Sequence, residues 1–346
     1  MIYAVSRNEV SCLNNMYVSY EQFGDPKQVL QLRSTELSSP ANHELVVEML
    51  AAPINPSDLI PITGAYSHRI SLPDIPGYEG VGIVREIGSN VDRAWLGQRV
   101  LPLRGEGTWQ QFVKAPAELA IPVPAWIDND TAAQLYINPV TAWIVLTETL
   151  SLKDGDTLVM NAASSTLGLI IVQMCRKLGI QFIGITSSMQ LKQKLSDYGA
   201  SYILGAASDK ARLRDTVMEL TKGKGADGAI DCIGGALGNQ LATCLRKEAV
   251  FVSLGLLSGH PVNWHDIHHI AGVRGKLFHL RHWNSASSAV QWHNAFQHIM
   301  SMIAEQQLVI PEPSARFSLS EVKTALTYYD DQQRLRGKVL LTRSEI

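Results

Sequence analysis

Cysteine is scarce in this chain: Cys12, Cys175, Cys232 and Cys244 are the only four in 346 residues. No two stand in C-x-x-C spacing, so neither a disulfide framework nor a structural zinc is expected, and a reduced cytoplasm fits the pattern. An excess of charge of one sign is also missing. The net charge of −2 supplies no long-range attraction for nucleic acid or an anionic membrane, and neither is expected as a partner. No run of about eighteen uncharged apolar residues occurs, so no membrane-spanning helix is expected. The start, MIYAVSRNEVSC, lacks a basic stretch followed by an apolar core, and does not read as a signal peptide. Internal repeats and low-complexity tracts are absent too. What remains is an ordinary globular composition, 46% hydrophobic and 18% charged, in a chain long enough for two domains.

The chain changes character near residue 125. Before it, short β-rich runs alternate with Pro/Gly turns: ELVVEML, GVGIVREIGSNV, WLGQRVLPL and TWQQFVKAP. This predicts a mostly β domain. From 127 to 273 the rhythm becomes strand–helix–strand. DTLVMNAA (156–163) reads as an apolar strand and LGLIIVQMCRKLG (167–179) as a helix stopped by glycine. QFIGITSS, SYILG, DGAIDCIGG and AVFVSLG continue the strands, with helical pieces between them. Apolar strands alternating with helices predict an α/β fold, a doubly wound parallel sheet covered on both faces.

The first strand–helix junction, NAASSTLG (161–168), is where such a fold holds a dinucleotide pyrophosphate, at the N-terminus of the helix. Ser164, Ser165 and Thr166 occupy the turn where glycines are common, followed by Leu167. Gly168 stands one turn into the helix, where close packing on the strand wants no side chain. An ordinary strand–helix turn is the alternative. At the end of the second strand, NAD enzymes place an Asp or Glu for the ribose 2′-hydroxyl. Here stand Thr186, Ser187 and Ser188, with Lys192 one turn later. Hydroxyls and a lysine accept a 2′-phosphate that a carboxylate would repel, so the expected cofactor is NADP(H). Lys192 reads equally well as a solvated helix-face lysine. Gly255, closing AVFVSLG, joins the expected cofactor contacts.

With these residues in view, the chain resembles a medium-chain dehydrogenase/reductase over essentially its whole length. It most resembles the zinc-free branch of NADPH quinone oxidoreductases and 2-enoyl thioester reductases. The shared marks are INPSD (54–58), GAY (64–66), GYEGVGIVREIGSNV (77–91), GTW (107–109), NPVTAW (138–143), LKDGDTLVMNAASSTLG (152–168), IGG (233–235) and RGKVLL (336–341). INPSD, GAY, GTW and NPVTAW lean toward the enoyl thioester reductases. The resemblance implies a GroES-like catalytic domain made of residues 1–126 and 274–346, with a Rossmann nucleotide domain of residues 127–273 inserted between. It also implies a homodimer, and a place for Thr141 in the nicotinamide pocket.

Zinc alcohol dehydrogenases, similar in the same stretch, carry a metal-binding Cys and a Gly-His-Glu histidine where this chain has Asn55 and Tyr78. Neither is a plausible zinc ligand, which leaves Glu79 alone, and no cysteine lies between Arg93 and Phe112. His265, His268 and His269, if helical, would share one face at i, i+3 and i+4, but no cysteine or evident acidic ligand accompanies them. No metal is expected.

Hydride addition to an activated C=C bond needs no Lewis acid. It needs donors for the enolate oxygen and a proton for the α-carbon. In enoyl thioester reductases the proton donor is a tyrosine in G-x-Y context, which maps onto Tyr66; a packed turn aromatic is the alternative. Asn55, in a lost ligand's place, is expected to hydrogen-bond substrate or the nicotinamide ribose, unless it is a turn residue before Pro56. Asp58 is expected to hold the loop, and Tyr78 and Glu79 to be structural remnants. The family's R-G-F-W-L acyl-pocket segment is replaced by VRGKLFHLRHW (273–283), where Phe278 and Trp283 are the candidate pocket residues. The substrate is therefore an enoyl thioester, an enone or enal, or a quinone. A non-catalytic NADPH-binding protein is the reading from another class.

Overall fold

Strand-forming residues concentrate in ELVVEMLAAP, and Glu44–Pro53 is a ten-residue strand at the centre of the first unit. This is a computed structural model, which describes residues 14–187, 189–206, 212–332 and 337–343. Val81–Ile87 pairs antiparallel with one side of Glu44–Pro53, and Phe112–Pro116 and Val339–Thr342 pair antiparallel with it too. Ala315–Ser318 extends the sheet beyond Val339–Thr342, while Arg99–Leu101 and Ile121–Pro122 extend it beyond Val81–Ile87. Asn14–Ser19 and Gln31–Glu36 form a separate antiparallel pair. Tyr20, Leu45, Ile54, Trp109 and Leu341 belong to the buried core of this unit.

The second unit is a six-stranded sheet, parallel throughout. Its order is Tyr202–Gly205, Gln181–Thr186, Thr157–Met160, Ala226–Asp231, Leu245–Ser253 and Arg274–Leu277. In chain order this is 3-2-1-4-5-6, so the winding reverses between Thr157–Met160 and Ala226–Asp231. In open α/β sheets ligands bind outside the carboxyl ends of the strands at that switch point. The doubly wound expectation therefore holds. Helix Thr166–Lys177 starts on Ser165, whose side chain accepts from the Gly168 N–H, and buries the run Gly168–Cys175.

The expected domain limits need correction. Residues through Ala133, with Ala315–Asp331 and the strand from Val339, form the first unit; Gln134–Ser314 falls in the second. The nucleotide unit thus does not end at 273. Arg274–Leu277 adds its sixth strand, pairing parallel with Leu245–Ser253. This strand, RGKL, is mostly exposed and carries no apolar alternation, so it left no pattern to find. Helix Ala289–Ala304 follows, closed at its start by a capping box between Ser288 and Gln291. It buries Trp292, Ala295, Phe296, Ile299 and Met302, and Trp292 and Phe296 pack on Tyr136 of the same unit. Among the described residues no helix is long and apolar enough to cross a membrane.

Candidate active site

At the nucleotide turn, strand Thr157–Met160 gives way to Ala162, which takes a left-handed φ of 50°, and then to the cap Ser165. The Gly168 N–H donates to Ser165 Oγ at 3.1 Å. A Cβ on Gly168 would stand 2.2 Å from the backbone oxygen of Ala163, so only glycine lets the helix approach this closely. The first-turn N–H groups of a helix have no intrahelical acceptors, and the helix dipole adds to their pull on an anion. These features fit a dinucleotide pyrophosphate.

Thr186 is 1% exposed and donates through Oγ1 to Ser164 Oγ at 2.9 Å. The structure thus joins two expected cofactor contacts, but it turns the Thr186 hydroxyl inward, away from the role of receiving a 2′-phosphate. Ser187 is exposed, and Lys192 is exposed at the start of helix Lys192–Asp197. Ser188 lies outside the described residues. Leu167 is half-buried, and Thr141 is buried in helix Ile137–Ile144. The Gly255 N–H donates to the Asp231 backbone oxygen at 3.3 Å, and a Cβ there would meet the Cys232 oxygen at 2.7 Å.

Sequence spacing does not single out Asn161 and Asp231, which meet at the ends of adjacent strands. Asn161 Nδ2 donates to Asp231 Oδ1 at 2.6 Å, and both side chains are buried. The available signal was a carboxylate closing an otherwise apolar strand, AIDCIGG, since a buried charge requires a reason. Next to it, burial and then the Asp231 charge push the Cys232 thiol up to about 12. Burial likewise raises Cys175, and raises Cys244 to about 12. All three are buried, which disfavours the thiolate that a nucleophile needs.

In the first unit, motifs distant in sequence interlock. Asn55 Nδ2 donates to Glu79 Oε1 at 2.9 Å, and the Asn55 N–H donates to Asp58 Oδ2 at 2.8 Å. The other Asp58 oxygen accepts from the Tyr78 N–H at 3.1 Å, and Thr108 Oγ1 donates to the Glu79 backbone oxygen at 2.8 Å. Asn55, Asp58, Glu79 and Thr108 are all buried. Gly77 has φ 100°, and a Cβ there would lie 2.4 Å from Thr108 Oγ1. The INPSD, GYEG and GTW motifs are therefore one packed cluster.

This donor set does not fit zinc. An amide nitrogen that donates to Glu79 is no metal ligand, and Tyr78 is 44% exposed with its N–H held by Asp58. Asn55 is a correction to the expected substrate contact: its amide is buried against a carboxylate. The three histidines lie in one short segment. Asp266–Ile270 is a π-helical turn, in which the His265 and His269 rings lie tilted with centroids 4.7 Å apart and His268 lies beside Trp264. Among the described residues no group of three His, Cys, Asp or Glu side chains is arranged to hold a metal.

Tyr66 is half-buried at the start of the turn Ser67–Arg69. Gly64 before it has φ 89°, and a Cβ there would press on Phe23 at 3.2 Å. The Arg69 guanidinium sits 4.0 Å over the Tyr66 ring, fixing one ring face by a cation–π contact. Phe278 is half-buried, directly after the sixth strand, and its N–H donates to the Ser253 oxygen at 3.0 Å. Trp283 stacks on Trp292 with centroids 6.0 Å apart, and its Nε1 donates to Glu148. One face and the polar edge of Trp283 are engaged in the packing of its own unit.

The family model described as alcohol dehydrogenase GroES-like domain matches residues 41–125, and that described as zinc-binding dehydrogenase matches residues 166–303. The second match runs past residue 273, in line with the corrected limit. A mitochondrial enoyl-[acyl-carrier-protein] reductase from Xenopus tropicalis is 34% identical over 249 residues, covering 70% of each chain. The chain belongs to the medium-chain dehydrogenase/reductases, in their zinc-free branch. The human enoyl-[acyl-carrier-protein] reductase of mitochondria is 31% identical over 321 residues, covering 89% of this chain and 83% of that one. Among solved structures, this medium-chain reductase is similar to a Bacillus thuringiensis protein assigned as an NADPH:quinone reductase. That match has 46% identity and a TM-score of 0.93, and covers 96% of this chain and 100% of that one. Escherichia coli quinone oxidoreductase complexed with NADPH is 25% identical with a TM-score of 0.86, covering 94% and 99%.

Proposed function

We propose that the chain is an NADPH-dependent, zinc-independent reductase that acts on the activated C=C bond of a 2-enoyl thioester. The observation that carries this reading is the Asn55–Glu79 pair. The place of the metal ligands is closed into a buried hydrogen bond, and C=C reduction needs no carbonyl-polarising metal from those residues. Enoyl reductases among the relatives at 30–34% identity support the thioester as substrate.

Bound NADPH supplies the hydride that reaches the substrate's β-carbon. The residues proposed to hold it are Ser164, Ser165 and Thr166 at the turn, Gly168 through close packing, and Thr141 near the nicotinamide. Tyr66 gives the proton that the α-carbon requires, and Arg69 keeps its ring oriented. Asn55 acts as a positioning residue through Glu79, rather than by touching substrate. Phe278 is the better pocket candidate, since Trp283 is already packed.

With Thr186 turned inward, the 2′-phosphate falls to Ser187 and Lys192. Lys192→Gln is then expected to weaken NADPH binding about tenfold, the scale of one charge-assisted hydrogen bond, and to leave NADH within about twofold. Fluorescence titration checks this, and an equal change for both cofactors contradicts it.

The sixth strand, Arg274–Leu277, lies at the sheet edge, with Leu277 61% exposed and Leu256 and Leu257 also exposed. An open edge with apolar side chains supports a homodimer. Sedimentation at micromolar concentration is expected to give a dimer, and a monomer would contradict it. The sparse cysteines, of which Cys175, Cys232 and Cys244 are unpaired among the described residues, support a cytoplasmic location.

A quinone is the second reading, supported by the 46% identical Bacillus thuringiensis structure. A panel of crotonyl-CoA, crotonaldehyde, a benzoquinone and phenanthrenequinone with NADPH separates the readings. Fastest turnover of crotonyl-CoA is expected. Turnover of quinones alone would replace the thioester, and tight NADPH binding without any turnover would make the chain a binding protein.

A further inference from the structure

Asp231 is the last residue of the fourth parallel strand, next to the switch point, and it is 0% exposed. Its partners are amide N–H groups: Oδ1 accepts from Asn161 Nδ2 at 2.6 Å, from Ile233 N at 3.1 Å and from Gly234 N at 3.0 Å. Oδ2 accepts from Gly234 N at 3.1 Å. Asn161 closes the loop of contacts, since its Oδ1 accepts from Cys232 N at 2.8 Å. A carboxylate kept this deep is costly unless every lone pair is used, and a satisfied buried network fixes one local geometry.

The geometry fixed here is that of the strand ends around the switch point. Asn161 begins the phosphate turn, on the strand next to Asp231. The carboxylate sets the turn 232–235, in which Gly234 and Gly235 have φ values of 78° and 56°. The Asp231 backbone oxygen accepts from Leu254 N at 2.8 Å and Gly255 N at 3.3 Å, tying in the end of the fifth strand. Helix Gly235–Ala242 then packs on the carboxylate, because a Cβ on Gly238 would sit 2.7 Å from Asp231 Oδ2. Three turns at the carboxyl ends of the parallel strands, where ligands bind in open α/β sheets, are thus referred to one side-chain pair.

We infer that Asn161 and Asp231 are positioning residues for the dinucleotide, a buried amide–carboxylate staple that holds the phosphate turn and the 232–235 turn in register across the switch point. The inference rests on the proposed NADPH binding. Asp231→Ala removes every acceptor and leaves the N–H groups of Ile233, Gly234 and Asn161 without this carboxylate. Asp231→Asn keeps an oxygen at the Oδ1 position for Asn161, Ile233 and Gly234, and gives up only the Oδ2 contact with Gly234.

The test is NADPH titration and steady-state kinetics on the full chain, with thermal unfolding of each cofactor-free variant alongside. Asp231→Ala is expected to raise the NADPH Kd and KM at least about tenfold, with kcat at saturating NADPH changed less than about threefold. Asp231→Asn is expected to keep Kd within about threefold of wild type. Wild-type affinity in Asp231→Ala overturns the inference, as does an Asp231→Asn variant that keeps thermal stability but not affinity. Should Asp231→Ala fail to fold, Asn161→Ala, which removes the tie to the phosphate turn, is expected to raise Kd at least about tenfold, and wild-type affinity there overturns the inference. Wild-type protein that binds no NADPH would instead remove the cofactor reading, and this inference with it.

Discussion

Tyr66→Phe is expected to lower the turnover of a 2-enoyl thioester by about a hundredfold or more, the usual worth of a placed general acid. The phenol is the proton source in the proposed reaction, and phenylalanine removes that proton while keeping the ring. Arg69 stays stacked on the face, Gly64 keeps its left-handed turn, and the half-buried ring leaves no core cavity. Unfolding temperature and the KM for NADPH are therefore expected to stay close to wild type. Reduction of a quinone, whose oxygens take protons from water, is expected to change less than about threefold. Crotonyl-CoA turnover that survives the substitution would move the acid elsewhere while leaving the reductase reading intact. Loss of quinone and thioester turnover alike would assign Tyr66 to the pocket wall.

Gly168→Ala is the second large effect. The added methyl would meet the Ala163 oxygen at 2.2 Å, its carbonyl carbon at 2.6 Å and its Cα at 2.8 Å. All three are backbone, on the turn that Ser165 caps, so no side-chain rotation relieves the clash. The helix must back away from the strand, at a cost of about 1–3 kcal/mol for an overpacked core position. Stability is only half of the consequence. The helix N-terminus is the proposed pyrophosphate seat, and hydrogen bonds to charged groups, worth about 1.5–3 kcal/mol each, decay when donors are displaced. Two such contacts weakened together predict a loss of NADPH affinity of about a hundredfold or more. Calorimetric titration alongside thermal unfolding checks both parts. Wild-type affinity in the alanine variant would separate this helix from the cofactor.

How far the sequence carried this reading depended on the kind of signal. Apolar strands such as TLVM and AIDCIGG declared themselves, because a strand buried on both faces reads as an apolar run. Arg274–Leu277 did not, being a short polar edge strand, and the helices after it went to the wrong domain. The NAASSTLG turn was legible through Gly168, whose small size answers a local contact. Thr186 was misjudged for the opposite reason. Its inward turn depends on Ser164, 22 residues away, and spacing alone does not show orientation. Asn55 raised the right question about the metal, but its answer lies with Glu79, which Thr108 holds and which only folding brings to it. The Asn161–Asp231 staple joins residues 70 apart, and periodicity is blind to such a pair.

The central claim is a metal-independent hydride and proton addition across a C=C bond. Its most direct test is crotonyl-CoA reduction in the presence of EDTA, with hydride-deuterated NADPH in one arm and deuterated water in the other, the product read by mass spectrometry. The account predicts butyryl-CoA with one deuterium at the β-carbon in the cofactor arm and one at the α-carbon in the solvent arm, with no loss of rate to the chelator. Absence of butyryl-CoA, or a rate that falls with EDTA and returns with zinc, would contradict it.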